Sequence, residues 1–178
     1  MPQSCPSESP GSNLFQEEFA AWGGFLQAHA AIARGLDSDL RAAHNLPLSE
    51  FEVLLWLANR PCGRMRMSAL ADSVLLSPSG VSRAVERLEA RGLVRRDRCQ
   101  EDRRGSFAVL TGEGVTLMRE AGATHAAGIR ERFLNRLTAE ERQTLTGIWQ
   151  RFSEPDGCPS AAQVTACGRD DKQEEGGK

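Results

Sequence analysis

The stretch that most constrains this chain runs from Ser77 to Arg104 and reads SPSGVSRAVERLEARGLVRRDRCQEDRR. Ser77 is suited to cap a helix, and Pro78 at the first helical position loses nothing, because that N–H would lack an intrahelical partner anyway. The helix then sets Val81, Val85 and Leu88 on one apolar stripe facing a core. Its other face carries Ser79, Ser82, Arg83, Glu86 and Arg87. Gly92 is placed to stop it, as a residue tolerant of positive φ does. Leu93 to Cys99 reads as a strand, Gln100 to Arg104 as a polar tip, and Ser106 to Leu110 as the returning strand. A short helix opening on hydroxyls and arginines, followed by an Arg-tipped hairpin, is a shape that a DNA major groove and its neighbouring minor groove can accept.

Charge supports that reading through its placement. The net charge of −2 over 178 residues suggests no polyanionic partner, yet residues 60–105 hold 11 arginines against 6 acids, net +5. Residues 1–59 are net −5 and residues 106–178 net −2. Positive charge gathered on one segment is the footprint of a phosphate-binding face. A solvated basic face would be the plain alternative without the surrounding motif order. The five cysteines (5, 62, 99, 158 and 167) show no C-x-x-C spacing, so neither a disulfide framework nor a zinc ribbon is expected. The three histidines (29, 44 and 125) lack metal-ligand spacing, and no cofactor is expected. The chain shows no basic leader followed by an apolar run and no stretch of 18 apolar residues, so it is expected to be soluble and cytoplasmic, with no membrane partner.

Met1 to Asn13, rich in Ser, Pro and Gly, reads as a disordered leader (1–13), and 153–178 as a disordered tail. From Phe15 the apolar residues Phe15, Phe19, Trp22, Leu26, His29, Ala33, Leu36 and Leu40 step by four and three, a heptad-like seam for packing against another helix. Ser49-Glu50-Phe51-Glu52 has the form of a capping box. The helix it would start turns Phe51, Val53, Leu54, Leu57 and Ala58 inward, and Pro61-Cys62-Gly63 ends it. Arg64 to Met67 is short and extended, and Ser68 is expected to cap a helix over Ala69 to Val74. Leu75-Leu76 leads directly to Ser77, and two short helices separated by a turn of about three or four residues have helix-turn-helix spacing. After the hairpin, Thr111 caps a long helix with a seam of Val115, Met118, Gly122, His125, Ile129 and Phe133. Thr138 to Glu141 is a second capping box, opening a last helix with Leu145, Ile148, Trp149 and Phe152 on one face.

Taken in order, Leu70-Ala71, Ser77-Pro78-Ser79-Gly80-Val81-Ser82-Arg83, Arg87-Leu88-Glu89, Arg91-Gly92-Leu93-Val94, Asp102-Arg103-Arg104-Gly105 and Leu110-Thr111 resemble the MarR family of bacterial winged helix-turn-helix regulators. The order of the set carries the resemblance more than any one piece, and it covers Phe15 to Phe152. It implies a mainly α fold: a winged helix-turn-helix with a two-stranded β-wing and terminal dimerisation helices. The domain would span 14–152, with 14–48 and 111–152 pairing between subunits and 49–110 binding DNA. Periodicity alone fits an intramolecular bundle equally well; the resemblance favours a homodimer. The implied function is a ligand-responsive repressor on a pseudo-palindromic operator in double-stranded DNA. A winged-helix module that binds protein instead is the alternative.

Candidate DNA-binding residues are Ser77, Ser79, Ser82, Arg83, Arg87, Arg98, Asp102, Arg103 and Arg104. Arginine can bond guanine O6 and N7 bidentately, and short hydroxyls reach phosphates or base edges. Plain capping is the main task expected of Ser77, and an ion pair with Glu86 or Glu89 is the alternative for Arg83. Arg95, Arg96 and Arg98 add backbone neutralisation. The resemblance implies that Asp102 orients Arg103 or Arg104 for a narrow minor groove. It also implies a small aromatic or phenolic effector, for which Trp22, Phe25, Leu26 and His29 with Phe51 and Leu55 are candidates; ordinary core packing is the commoner use of such residues. His29 and His125 could pair in the core. Cys99, among Arg98, Arg103 and Arg104, has a setting that favours thiolate, although redox-sensing relatives usually carry the reactive cysteine near the first helix. No nucleophile–base set, phosphate loop or carboxylate pair points to an enzyme.

Overall fold

A computed structural model describes residues 15–98 and 106–152, with the Arg98 side chain excluded. The leader 1–13, Cys99, the wing tip with Asp102, Arg103 and Arg104, and the tail 153–178 lie outside the described residues. Six α-helices and a small sheet follow the expected order: α1 (Gln16–His44), α2 (Leu48–Ala58), β1 (Arg64–Arg66), α3 (Met67–Ser73), α4 (Pro78–Ala90), β2 (Val94–Arg98), β3 (Ser106–Leu110), α5 (Gly112–Arg132) and α6 (Ala139–Trp149). No described helix is long and apolar enough to cross a membrane.

The core lies in the winged module. Leu54 and Leu57 of α2, Leu70 of α3, Val81, Val85 and Leu88 of α4, and Ala108 of β3 are all sealed from solvent. Leu40 and Leu46 bring the end of α1 into the same cluster. Asn45, in the left-handed region at φ 49°, closes α1, and Leu46 N–H reaches back to Leu40 O at 3.3 Å. That turn hands the chain to α2.

Two expected serine caps do not form. Ser49 does not cap α2. The helix starts at Leu48 after Pro47, and Asp37 of α1 accepts from Leu48 N–H at 2.9 Å. A carboxylate from another helix, helped by the fixed φ of proline, does what the local serine was expected to do. Ser68 likewise sits inside α3, which starts at Met67 without a side-chain cap. By contrast, Thr111 Oγ1 accepts from Gly114 N–H at 3.0 Å. Thr138 and Glu141 exchange both bonds of their capping box, at 3.2 and 2.8 Å.

The sheet has a third strand beyond the two of the wing. β1 joins antiparallel to β3, giving the order β1-β3-β2, with Met65 opposite Ala108 and both buried. Cys62 and Gly63, at φ 58° and 59°, turn the chain into β1. Pairing there covers an edge of β3 that would otherwise expose its backbone groups.

α5 lies along α1, though not on the expected seam. Its buried residues are Gly114, Ala121 and Gly128, one per two turns, while Val115 is exposed and Met118, Gly122, His125, Ile129 and Phe133 are half-buried. Small residues win because the helices approach closely: a Cβ on Gly128 would stand 2.7 Å from Leu36 Cδ2. Arg132 closes the contact, its two terminal nitrogens 2.7 and 2.9 Å from the Asp39 carboxylate. The first-helix seam is buried only at Leu36 and Leu40. Phe15, Phe19, Trp22, Phe25 and Leu26 are exposed, as are Trp149 and Phe152.

Candidate nucleic-acid interface

α4 is built for outward display. Ser77 caps it, its Oγ accepting from Gly80 N–H at 3.1 Å and lying 3.1 Å from Ser79 Oγ. Gly92, at φ 72°, ends it. Val81, Ala84, Val85 and Leu88 are fully buried, which fixes the rotation of the helix about its axis. Ser77, Ser79 and Arg83 then face solvent, and Ser82 is half-buried.

The neighbouring charges are largely engaged with one another. Glu86 and Glu89, the alternative partners of Arg83, lie 3.6 Å from Arg96 instead. Arg96 Nη2 also donates to Ser82 O at 3.0 Å, tying β2 to α4. Arg95 pairs with Asp97. Arg87 Nε donates to Glu50 Oε1 at 2.5 Å. Arg83 has no ion pair among the described residues. Arg87 is thus held by the protein, and Arg95 and Arg96 are committed to ion pairs before any phosphate arrives.

Two features escaped the sequence reasoning. The antiparallel register sets Arg64, Arg66, Phe107, Arg95 and Asp97 on one face of the sheet. Arg64 lies 3.6 Å over the Phe107 ring and Arg66 5.2 Å from its centre, so the outer face of the sheet is basic and braced by cation–π contact. The alternation Arg64-Met65-Arg66 was the available signal. The second is Glu50, 2% exposed, which faces both Arg87 and Arg91. Nothing local marks it, because both partners lie in another helix.

The residues proposed for an effector divide. Trp22, Phe25 and Leu26 are exposed on α1, with ring centroids 5.8 Å apart for Trp22–Phe25, 6.3 Å for Phe25–His29 and 5.6 Å for Phe25–Trp149. Phe51 is sealed in the core against the His125 ring at 4.6 Å, and Leu55 is half-buried. No hydrogen bond joins His29 to His125 among the described residues; His44 Nε2 instead pairs with Thr124 Oγ1 at 2.8 Å. Burial holds the His125 imidazole below its ordinary pKa. Burial raises the Glu52 carboxyl, partly offset by the charge of His29. No group of three metal-ligating side chains occurs among the described residues, and Cys62 is an exposed free thiol.

Sequence comparison carries the outline further. A family model described as the MarR family matches residues 44–105. The HTH-type transcriptional regulator MhqR of Bacillus subtilis (strain 168) is 32% identical over 108 residues, 61% of this chain and 72% of its own length. This chain belongs to the MarR family. Two solved MarR-family regulators from Streptomyces coelicolor agree in fold. Sco3205, solved in complex with DNA, is 31% identical with a TM-score of 0.74, over 84% of this chain and 96% of its own. AbsC is 34% identical with a TM-score of 0.72, over 80% and 95%. The protein is a DNA-binding transcriptional regulator with a winged helix-turn-helix, and its relatives are regulators, not enzymes.

Proposed function

We propose that this MarR-family regulator is a ligand-responsive repressor that binds a pseudo-palindromic operator as a homodimer. The reading rests chiefly on Arg83, which projects from α4 without an ion pair while Glu86 and Glu89 beside it are occupied by Arg96. Arg83 reads a base edge in the major groove, Ser79 and Ser82 bind phosphate or base edges, and Ser77 orders the helix start. Arg98 and the tip of Asp102, Arg103 and Arg104 follow the minor groove. Arg87 is assigned to holding α4.

The exposed aromatic face of α1 and α6 supports pairing of 14–48 and 111–152 between subunits, since so large an apolar patch on a monomer marks an interface. Two recognition helices related by a two-fold axis then require half-sites about one helical turn apart. Trp22, Phe25, Leu26 and His29, with Leu55, receive a small aromatic or phenolic anion near that interface, and Phe51 packs behind them in the core.

Variants in α4 and the wing separate these roles. Arg83→Ala is expected to cost about 1–3 kcal/mol on the operator and to relax preference at one position per half-site. Arg103→Ala and Arg104→Ala are expected to weaken specific and random-sequence binding together, each lost phosphate contact lowering the log–log salt slope by about 0.9. Asp102→Ala is expected to weaken binding despite removing a negative charge. Tighter operator binding by that variant would sink the oriented-wing reading.

A further inference from the structure

The charged residue buried deepest among the described residues plays no part in the DNA contacts assigned so far. Glu50 is in the first turn of α2, 2% exposed, and both its oxygens face the end of the recognition helix. Oε1 accepts from Arg87 Nε at 2.5 Å and Oε2 from Arg91 Nη1 at 3.4 Å. Arg91 Nη1 also donates to Asn45 O at 3.0 Å, the carbonyl of the residue that closes α1. One α1 turn away, Asp37 pairs with Arg41 at 2.6 Å and caps α2 through Leu48 N–H. The end of α1, the start of α2 and the end of α4 are therefore joined by one polar network. The apolar face of α4 sets its rotation but stops short of this end, because the last turn beyond Leu88 carries no buried side chain, so polar contacts are what hold the C-terminal end of the helix.

We propose that Glu50 is a positioning residue for DNA recognition: by holding Arg87 and Arg91 it fixes the tilt of α4, and with it the place where Ser79, Ser82 and Arg83 meet the groove. The inference rests on the assignment of those three residues to DNA. Leverage makes the clamp matter. Ser79 lies eight residues before Arg87, about 12 Å along the helix. A tilt of about 10° about the clamped end moves Ser79 by about 2 Å, beyond the narrow length window of a hydrogen bond. Non-specific attraction to phosphate, which falls off slowly with distance, hardly notices such a shift. Glu50 therefore governs the difference between operator and random DNA more than affinity for DNA as such. Arg91 links Glu50 to Asn45, the residue that closes α1, which gives events at the end of α1 a direct mechanical path to α4.

The test uses the whole 178-residue chain and two DNA duplexes of about 30 base pairs, one enriched from a random pool by the parent protein and one scrambled from it, a length that holds two half-sites one turn apart. Glu50→Gln keeps the volume and removes the charge. The expected result is a fall of about tenfold or more in the operator-to-scrambled affinity ratio, with scrambled binding and its salt slope within about twofold of the parent. A ratio within about twofold of the parent, or an equal loss on both duplexes, overturns the proposal. If Glu50→Gln does not fold by circular dichroism, Arg91→Gln, which leaves Glu50 its Arg87 partner, replaces it. The ratio should again fall, and an unchanged ratio is again fatal. Should the parent enrich no sequence at all, the operator reading fails by itself. Amide exchange then judges the clamp: faster exchange over the last turn of α4 in the variant supports it, and parental protection there refutes it.

Discussion

Gly114 and Gly112 lie two residues apart in the first turn of α5, and replacing each by alanine should shift stability in opposite directions. An added Cβ at Gly112 meets nothing within 4 Å. Gly112→Ala should then stabilise by about 0.4–1 kcal/mol, because the unfolded chain loses freedom and the folded one is undisturbed. At Gly114 the same atom would stand 2.1 Å from the Leu93 carbonyl oxygen, 2.8 Å from Leu110 Cδ1 and 3.1 Å from the Leu93 carbonyl carbon. Leu93 O is backbone and already accepts Thr111 N–H at 3.1 Å, so it cannot swing aside as a side-chain end would. Overpacking of this kind costs about 1–3 kcal/mol, and loss of the Thr111 bond adds about 0.5–1.5. Subtracting the alanine gain leaves Gly114→Ala destabilised by about 0.5–4 kcal/mol. Urea unfolding of parent and both variants at one protein concentration reads the difference, the concentration being fixed because the proposed dimerisation would contribute to stability. If Gly114→Ala unfolds at or above the urea midpoint of Gly112→Ala, close approach of α5 to the β2 entrance is not what requires glycine there.

Further outcomes follow from other sites. Ser77→Ala removes the cap of α4 and should cost about 1 kcal/mol in urea unfolding, whereas Ser49→Ala, which caps nothing, should fall within about 0.5 kcal/mol of the parent. Leu26→Glu places a charge on the exposed face of α1; sedimentation should show the parent as a dimer and the variant shifted towards monomer, and a monomeric parent at micromolar concentration would overturn the proposed pairing. The folded-state pKa of His125 is depressed, so its contribution is fully present above the ordinary value of 6.5 and is lost as pH falls from there through the lower folded value. Glu52, with a raised folded pKa, has the opposite sign: its contribution is present below the ordinary 4.5 and is lost as pH rises through the folded value. On acidification from pH 7.5 to 5.5, thermal melts of His125→Gln should lose less stability than the parent, and on acidification from pH 7.5 to 4.5 those of Glu52→Gln should lose more.

What could be read directly from the chain is what depends on near neighbours. The cap at Ser77 with Pro78 behind it, the stop at Gly92, the cap at Thr111 and the box of Thr138 and Glu141 each involve residues within three positions of the group they satisfy. The apolar stripe Val81-Val85-Leu88 needs only the helical repeat. These features, in order, carry the winged helix-turn-helix and place Arg83 on its outer face. Tertiary structure decided whatever joins distant segments. Asp37 displaced Ser49 as the cap of α2 because its carboxylate arrives from α1, eleven residues earlier. Arg96 took Glu86 and Glu89 from Arg83 because β2 folds back beside α4. β1 became a strand only because β3 lies next to it. α5 buried Gly114, Ala121 and Gly128 rather than its larger residues because helix separation, not hydrophobicity, sets which side chains fit at a close crossing. Glu50 meets Arg87 and Arg91 across 37 and 41 residues, and a charge partner at that distance leaves no periodic trace. Local capping and periodicity are encoded in the order of the residues, whereas charge pairing and close packing are properties of space, which the chain defines only once folded.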